Sequence, residues 1–195
     1  MKMGVMKQIC TININELEFV EEAMERKIYI SNDELMLAEY CNDFDAEANY
    51  NCWQDHDTQN GYNFKMDITL EDFKNRPVRS RFQAVVIRKS DNNVIGIISM
   101  SPENALPDLA IMIYKPYRKK GYGTKAFALA LKYCFEAFDL DQIYAGCYET
   151  NSVSLRMLTA CGFVPHPEGN EVEEHFESGA TITQLDFVKF RVDVE

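Results

Sequence analysis

The chain has 195 residues, 46% of them apolar and 26% charged, which suits one globular domain with a sizeable core, or a domain with a small appendage. Nine Gly and six Pro are too few for a low-complexity or linker-rich scaffold. Twenty basic residues against 31 acidic ones leave a net charge of −11, which argues against general nucleic-acid binding, because phosphate contacts need Lys and Arg; the acidity favours cationic partners or serves solubility alone.

The opening MKMGVMKQICTININ has no uninterrupted apolar stretch of signal-peptide length, and no apolar run approaches the ~18 residues that span a bilayer. The expectation is a cytoplasmic protein with no membrane partner. Six cysteines form no C-x-x-C pair and are read as reduced thiols, with Cys134, Cys147 and Cys161 as small core residues.

In chain order, residues 16–29 (ELEFVEEAMERKIY) are predicted to form an acidic amphipathic helix, with Leu17, Val20 and Met24 at helical spacing. Residues 33–41 are predicted as a second helix. Residues 42–66 interleave Asp43, Asp45, Glu47, Asp55 and Asp57 with Phe44, Tyr50, Trp53, Tyr62 and Phe64. Clean periodicity is absent there, so loops and short helical turns are expected. RFQAVVIRK (81–89) and VIGIISM (94–100), joined by Ser90-Asp91-Asn92-Asn93, read as a β-hairpin. DLAIMIY (108–114) is a third strand. Thr124 to Phe138 is a helix with Phe127, Leu131, Cys134 and Phe135 along one stripe. QIYAGCY (142–148) is a strand, SVSLRMLTA (152–160) a short helix ended by Gly162, and TITQLDFVKFRV (181–192) returns to β. A strand, helix and strand in succession imply a parallel pair, and the hairpin implies antiparallel neighbours. The fold class is therefore α/β: a mixed, mostly antiparallel sheet with a central parallel pair and helices on both faces.

Charge reverses locally. From Leu109 to Phe135 there is no Asp or Glu, while Lys115, Arg118, Lys119, Lys120, Lys125 and Lys132 give the segment +6, so the remainder of the chain carries −17. Four of these bases cluster where a strand gives way to a helix, whose start offers free N–H groups and the positive end of a dipole. Gly121 and Gly123 let the backbone approach a ligand. Together these features describe a site for a phosphorylated anion; a solvated basic turn is the plainer alternative. The string is no Walker A loop. Gly121-Tyr122-Gly123-Thr124-Lys125-Ala126 formally fits the G-x-G-x-x-A of a dinucleotide fold, but KPYRKK separates it from its strand, and the unit follows a hairpin instead of opening a βαβ fold.

Arg118-Lys119-Lys120-Gly121-Tyr122-Gly123 fits [QR]-x-x-G-x-[GA] between a strand and a helix, and Asn151-Ser152-Val153-Ser154 is followed by Cys161-Gly162-Phe163. In both respects the chain resembles the GNAT acyl-CoA N-acyltransferases, over roughly residues 81–192. NSVSLRMLTACGF is most similar to the branch containing ribosomal-protein N-terminal acetyltransferases. Many members carry a Tyr where this chain has Leu158, and a Lys where it has Ala160. The resemblance implies a single domain over 1–195, with 1–80 a helical region on the acceptor side and 81–192 the cofactor-binding core. It implies that the parallel pair is splayed for acyl-CoA.

The resemblance also implies the site. The pantetheine arm of acetyl-CoA lies along Ile111, Met112 and Ile113, one of whose N–H groups polarises the thioester carbonyl. The pyrophosphate lies on the amides of Arg118, Lys119, Lys120, Gly121, Tyr122, Gly123 and Thr124, with Asn151 nearby. Ser154 assists thiolate departure in place of the missing Tyr. An amine acceptor attacks directly, and Asp108 takes its proton, with Glu149, Glu173, Glu174 and Glu177 as weaker alternatives. A strand-start Asp after Pro107 is the plainer reading of Asp108. His56, His166 and His175 show no metal-ligand spacing, so no metal is expected. The 42–66 stretch is read as one wall of a cationic acceptor site, or as a packed aromatic cluster with exposed acids. The implied partners are acetyl-CoA and a primary amine, without nucleic acid; dimers are frequent in such families, so a homodimer is admitted. The rival readings are a non-catalytic acyl-CoA sensor on the same fold and a dinucleotide-binding enzyme.

Overall fold

The computed structural model describes residues 5–8 and 24–191. Ten strands are described: β1 (Val5–Gln8), β2 (Met24–Ser31), β3 (Leu35–Glu39), β4 (Phe82–Arg88), β5 (Asn93–Met100), β6 (Leu109–Ile113), β7 (Gln142–Tyr148), β8 (Val164–Pro165), β9 (Glu171–Glu174) and β10 (Thr181–Phe190). Five α-helices are described: α1 (Asn42–Trp53), α2 (His56–Tyr62), α3 (Leu70–Lys74), α4 (Tyr122–Ala137) and α5 (Ser152–Ala160). β1 to β6 form an antiparallel sheet in sequence order, and β10 gathers β7, β8 and β9 into a second antiparallel sheet. The two sheets meet at one parallel bridge, Asp108 to Tyr144, beyond which β6 and β7 part. The expected parallel pair is thus present as a splay.

Side chains sort by period two. Leu35, Leu37, Phe82, Ala84 and Val86 join the large cluster under α4, with Phe127, Ala130, Leu131 and Cys134. Met36, Ala38, Val85, Ile87 and Ile97 face Cys52 of α1 on the opposite side.

Two expected helices are strands. Residues 33–41 contain β3, whose Leu35, Met36, Leu37 and Ala38 are all buried. A strand covered on both faces reads as a continuous apolar run, which periodicity alone cannot separate from a helix. Of the helix expected over 16–29, residues 24–29 belong to β2, and 16–23 lie outside the described residues. The reverse error concerns α1, a 12-residue helix where loops and short helical turns are expected. Its inward stripe is Asp45, Ala46, Asn49 and Cys52, half of it polar, so no apolar period is visible. The polar members have partners: Arg26 donates to both oxygens of Asp45 at 2.6 and 2.8 Å, and Asn49 donates to the Tyr40 hydroxyl. The hairpin, α4, β7, α5 and β10 lie where the pattern puts them.

Candidate functional site

The splay opens a cleft of about 260 Å³. Its walls include Asp108, just before β6, Ile111 from β6, Cys147 and Tyr148 from β7, Asn151 and Ser154 from the start of α5, Tyr62 from α2 and Gln184 from β10. Four residues singled out from sequence, Asp108, Ile111, Asn151 and Ser154, are therefore brought together. Asn151 caps α5, its Oδ1 accepting from the Ser154 N–H at 3.1 Å, which fixes that serine in the first helical turn.

The edge of β6 has a defined polarity. Tyr114 donates its N–H to the Ile95 carbonyl and Ser101 donates to the Asp108 carbonyl, so even-numbered residues of β6 turn their main chain to β5. Ile111 and Ile113 consequently turn theirs into the opening, as the pantetheine reading requires. Met112 does not: its main chain lies opposite Ile97, which corrects its inclusion in the edge. The two outward carbonyls are engaged from within. The Tyr62 hydroxyl donates to the Ile111 carbonyl at 2.9 Å, and Arg118 Nε donates to the Ile113 carbonyl at 2.8 Å. The edge therefore presents N–H groups.

Beyond β6 the chain makes one 3₁₀ turn, Lys115–Tyr117, and reaches α4 through two left-handed residues, Lys119 (φ 61°) and Gly121 (φ 80°). A Cβ at Gly121 meets no atom within 4 Å. Its role is conformational, and the space above it, at the N–H end of a 16-residue helix, lies open. A Cβ at Gly123 meets Ile113 and Met157 at 3.7 and 3.8 Å, ordinary contact distances. Tyr122 is held from below, Arg88 donating to its hydroxyl at 3.3 Å. An open helix start, a left-handed glycine and an N–H edge leading to it fit the phosphates and arm of a coenzyme A.

The basic side chains of this loop are less available than the charge count implies. Arg118 donates to Asp55 at 2.5 Å and to Thr58 at 2.8 Å, and Lys115 donates to Asp55 at 2.8 Å. Lys125 pairs with Glu34, and Lys120 donates to the Pro116 carbonyl. Arg118 thus serves the loop through its geometry and its main chain, with its guanidinium spent on the protein itself.

Two of the five acids of 42–66 are likewise committed to cations of the protein itself. Asp45 is buried against Arg26, and Asp55 holds the loop cations. Asp43 and Asp57 are exposed in the first turns of α1 and α2, where the helix dipole favours them. The aromatics pack on one another, Trp53 lying 4.9 Å from Tyr62 and 5.9 Å from Phe64 between centroids. Tyr62 alone of these lines the cleft with its polar end engaged there.

Asp108 is the carboxylate among the residues that line the cleft. Asp108 sits where the splay closes. Burial, and then the neighbouring charge of Asp186, push its carboxyl up to about 6. Asp186 lies opposite Gly146, where a Cβ would stand 3.1 Å from its Oδ1, and Gln184 donates to that oxygen at 3.2 Å. Glu173 of β9 accepts from the Tyr148 hydroxyl at 2.9 Å and from Asn63 at 3.1 Å. Sequence reasoning placed Tyr62 within the 42–66 wall but missed Tyr148 and Gln184, which line the cleft, and Asp186, whose charge Asp108 feels. A signal existed for two of them: in TITQLDFV, Gln184 and Asp186 share a face with buried Ile182 and Val188.

Burial pushes the Cys134 thiol up to about 12 and the Cys147 thiol up to about 11, so neither supplies a thiolate near neutral pH. Among the described residues no group of three or more His, Cys, Asp or Glu is arranged to hold a metal, and no helix is long and apolar enough to cross a membrane.

Comparison with known proteins follows the same lines. The model of a family described as the acetyltransferase (GNAT) domain matches residues 26–164. An uncharacterized N-acetyltransferase, YokL, derived from the SPbeta prophage of Bacillus subtilis (strain 168), is 27% identical over 118 residues, 59% of this chain; the match spans 64% of that relative's length, under two thirds. A spermidine N-acetyltransferase from Vibrio cholerae, solved with CoA and spermine, superimposes with a TM-score of 0.72 at 20% identity, over 82% of this chain and 96% of that one. A ribosomal-protein-S5-alanine acetyltransferase from Vibrio fischeri does so with a TM-score of 0.68 at 22% identity, over 85% and 98%. At these identities the structural likeness speaks for the fold.

Proposed function

The chain belongs to the acetyltransferase (GNAT) domain family, and from that premise we propose that it moves an acetyl group from acetyl-CoA to the nitrogen of a cationic primary amine, a small amine or a peptide N-terminus. The observation that carries the reading is the splay of β6 and β7 from a single bridge at Asp108, with a carboxyl raised to about 6 at its closed end. Acetyl-CoA supplies a thioester-activated acyl group; the remaining work falls to residues of this chain.

The N–H groups of Ile111 and Ile113 orient the donor along β6, and the helix start at Gly121 to Thr124 receives its phosphates. An amine with a pKa near ~10 enters as an ammonium and must shed a proton before it can attack. Asp108 accepts that proton, and its raised pKa brings its basicity close to working pH. An N–H of the β6 edge stabilises negative charge developing on the carbonyl oxygen. As the C–S bond breaks, the second proton of the attacking nitrogen passes by way of the Ser154 hydroxyl, in the first turn of α5, to the departing sulfur, so CoA leaves as the thiol; Leu158 has no proton to relay. Asp186 and Glu173 add negative charge on the acceptor side, which favours a cation there.

The test is to incubate the protein with acetyl-CoA and a panel of amines and read products by mass. Acetylated amine with stoichiometric free CoA supports the proposal. CoA binding without any product supports the sensor reading, for which the Leu158 substitution speaks. Absence of CoA binding overturns both.

A further inference from the structure

Asp55 is the N-cap residue of α2, yet its side chain caps no N–H of that helix. An Asp in that position ordinarily accepts from the second or third helical N–H. Here the carboxylate turns away, taking Lys115 Nζ at 2.8 Å on one oxygen and Arg118 Nη1 at 2.5 Å on the other. It is largely buried. Burial alone raises such a group, but the hydrogen bonds from Lys115 and Arg118 outweigh it and bring the carboxyl down to about 2.

The guanidinium it holds is committed in every direction. Nε donates to the Ile113 carbonyl, Nη1 to Asp55, and Nη2 to Thr58 Oγ1 at 2.8 Å, with Cys52 Sγ at 3.7 Å. A planar fork bound at three corners has one orientation. Arg118 is also the first residue of the loop that reaches α4 through Lys119 and Gly121. One side chain therefore ties the last outward carbonyl of β6, the start of α2 and the start of the phosphate loop into a single unit. A helix on the acceptor side thereby sets the donor loop.

We propose that Asp55 is a positioning residue for the acyl donor: acting through Arg118, it fixes the backbone of residues 118–124 in the form that receives the phosphates of CoA. The proposal rests on the acetyltransferase reading, and its test separates the two. Charge and position predict opposite signs. Removing a carboxylate beside an anion site tightens anion binding if charge alone matters. Removing a positioning carboxylate weakens it. Asp57 supplies the control, because its side chain is 75% exposed and stands 3.7 Å from the same Arg118 nitrogen without forming a hydrogen bond.

The experiment is calorimetric titration of CoA into wild-type protein, Asp55→Asn, Asp57→Asn, Arg118→Lys and the Asp55→Asn/Arg118→Lys double variant, with acetylation kinetics alongside. Asp55→Asn should raise the Kd for CoA about tenfold, on the order expected for loss of a charge-assisted hydrogen bond. Asp57→Asn should leave it unchanged or lower it. Arg118→Lys should match the Asp55 loss, and the double variant should be no worse than either single one, since the residues act as a unit. At saturating acetyl-CoA, the KM for the amine should stay near wild type, which a general loosening of the fold would not allow. If Asp55→Asn does not fold, Arg118→Lys carries the same test. Wild-type protein that binds no CoA overturns the acetyltransferase reading and this proposal with it. Wild-type binding with an equal or lower Kd in folded Asp55→Asn, or equal weakening by Asp55→Asn and Asp57→Asn, overturns this proposal alone.

Discussion

Replacing Asp108 by Asn should make the protein more stable and less active, and pH should control the first effect. The carboxyl has an ordinary value of 3.8 and is raised to about 6 in the fold, burial being the larger cause and Asp186 the smaller. Between those values the folded chain holds a proton that the unfolded chain has lost. Stability therefore falls as pH rises through this window, and by pH 7 the ionised Asp108 costs the fold on the order of 3 kcal/mol, at 1.36 kcal/mol per unit. Near pH 4 most of that cost is gone, and below about pH 3 the group is neutral in both states.

An amide of the same shape carries no such charge. Asp108→Asn should raise Tm at pH 7–8 by roughly 6–12 °C, at 2–4 °C per kcal/mol for a chain of this size, and most of the gain should be gone near pH 4. The same variant should lose ~10²–10⁴ in kcat, the usual worth of a general base. Scanning calorimetry across pH 4–8, with initial rates on the same preparations, checks both. Wild-type kcat/KM should rise with pH through an inflection near 6, and Asp186→Asn should move that inflection down by less than about one unit, since burial remains. Equal Tm for wild type and variant at pH 8, with activity intact, would refute the assignment of Asp108 as a desolvated base.

Gly121→Val should abolish measurable CoA binding by calorimetry while the fold survives at a modest cost, because φ of 80° is strained for a β-branched residue but no atom opposes its Cβ; Gly123→Ala, with ordinary contacts only, should still bind. Ser154→Ala should lower kcat with little change in acetyl-CoA affinity, and wild-type turnover would reduce Ser154 to packing. For a dicationic amine, KM should rise between 0.05 and 0.5 M salt, at roughly 14 to 4 Å screening length, more steeply than for a monocationic one, and Asp186→Asn should narrow the difference. A neutral acceptor with salt-independent KM would remove Asp186 from acceptor recognition.

The parts legible in the sequence share a physical character. The glycine loop shows because a left-handed turn and a helix start demand particular residues in a fixed order. Asn151 and Ser154 show only through the motif that carries the family resemblance, for which the fold supplies a local reason, the Asn151 side chain capping the Ser154 N–H. α4 shows because one of its faces is apolar and the other is not. β3 was obscured by burial on both faces. α1 was obscured because its buried stripe contains Asp45 and Asn49, whose partners Arg26 and Tyr40 come from elsewhere in the chain. The acidic stretch misled for a related reason. A count of carboxylates is blind to pairing, so Asp45 and Asp55 looked available when Arg26, Lys115 and Arg118 already held them. Asp186, whose charge Asp108 feels, and Glu173, bonded to Tyr148, lie far along the chain and arrive only through strand pairing.

The splay also explains why one aspartate combines basicity with cost. Two strands that share a single bridge make a wedge, closed at Asp108 and open toward Ile113. At the closed end Tyr144 donates its N–H to the Pro107 carbonyl, and the Asp108 N–H is satisfied by Ser101 Oγ and the Leu106 carbonyl, so the backbone there is spent and solvent access is reduced. A carboxyl placed at that point loses hydration and gains no cation, which raises its pKa. Toward the open end the strands are too far apart to pair, so the N–H groups of Ile111 and Ile113 remain directed into the gap. In the proposed reaction, the proton-accepting and hydrogen-bond-donating roles are thus separated along one segment of chain by the angle between two strands. A residue shift in β6 would exchange them, turning Asp108 toward the opposite face and the edge N–H groups toward β5. The register of β6 on β5, fixed by Gly96 opposite Ile113 where a Cβ would strike the Met112 carbonyl at 2.4 Å, therefore holds the chemistry in place.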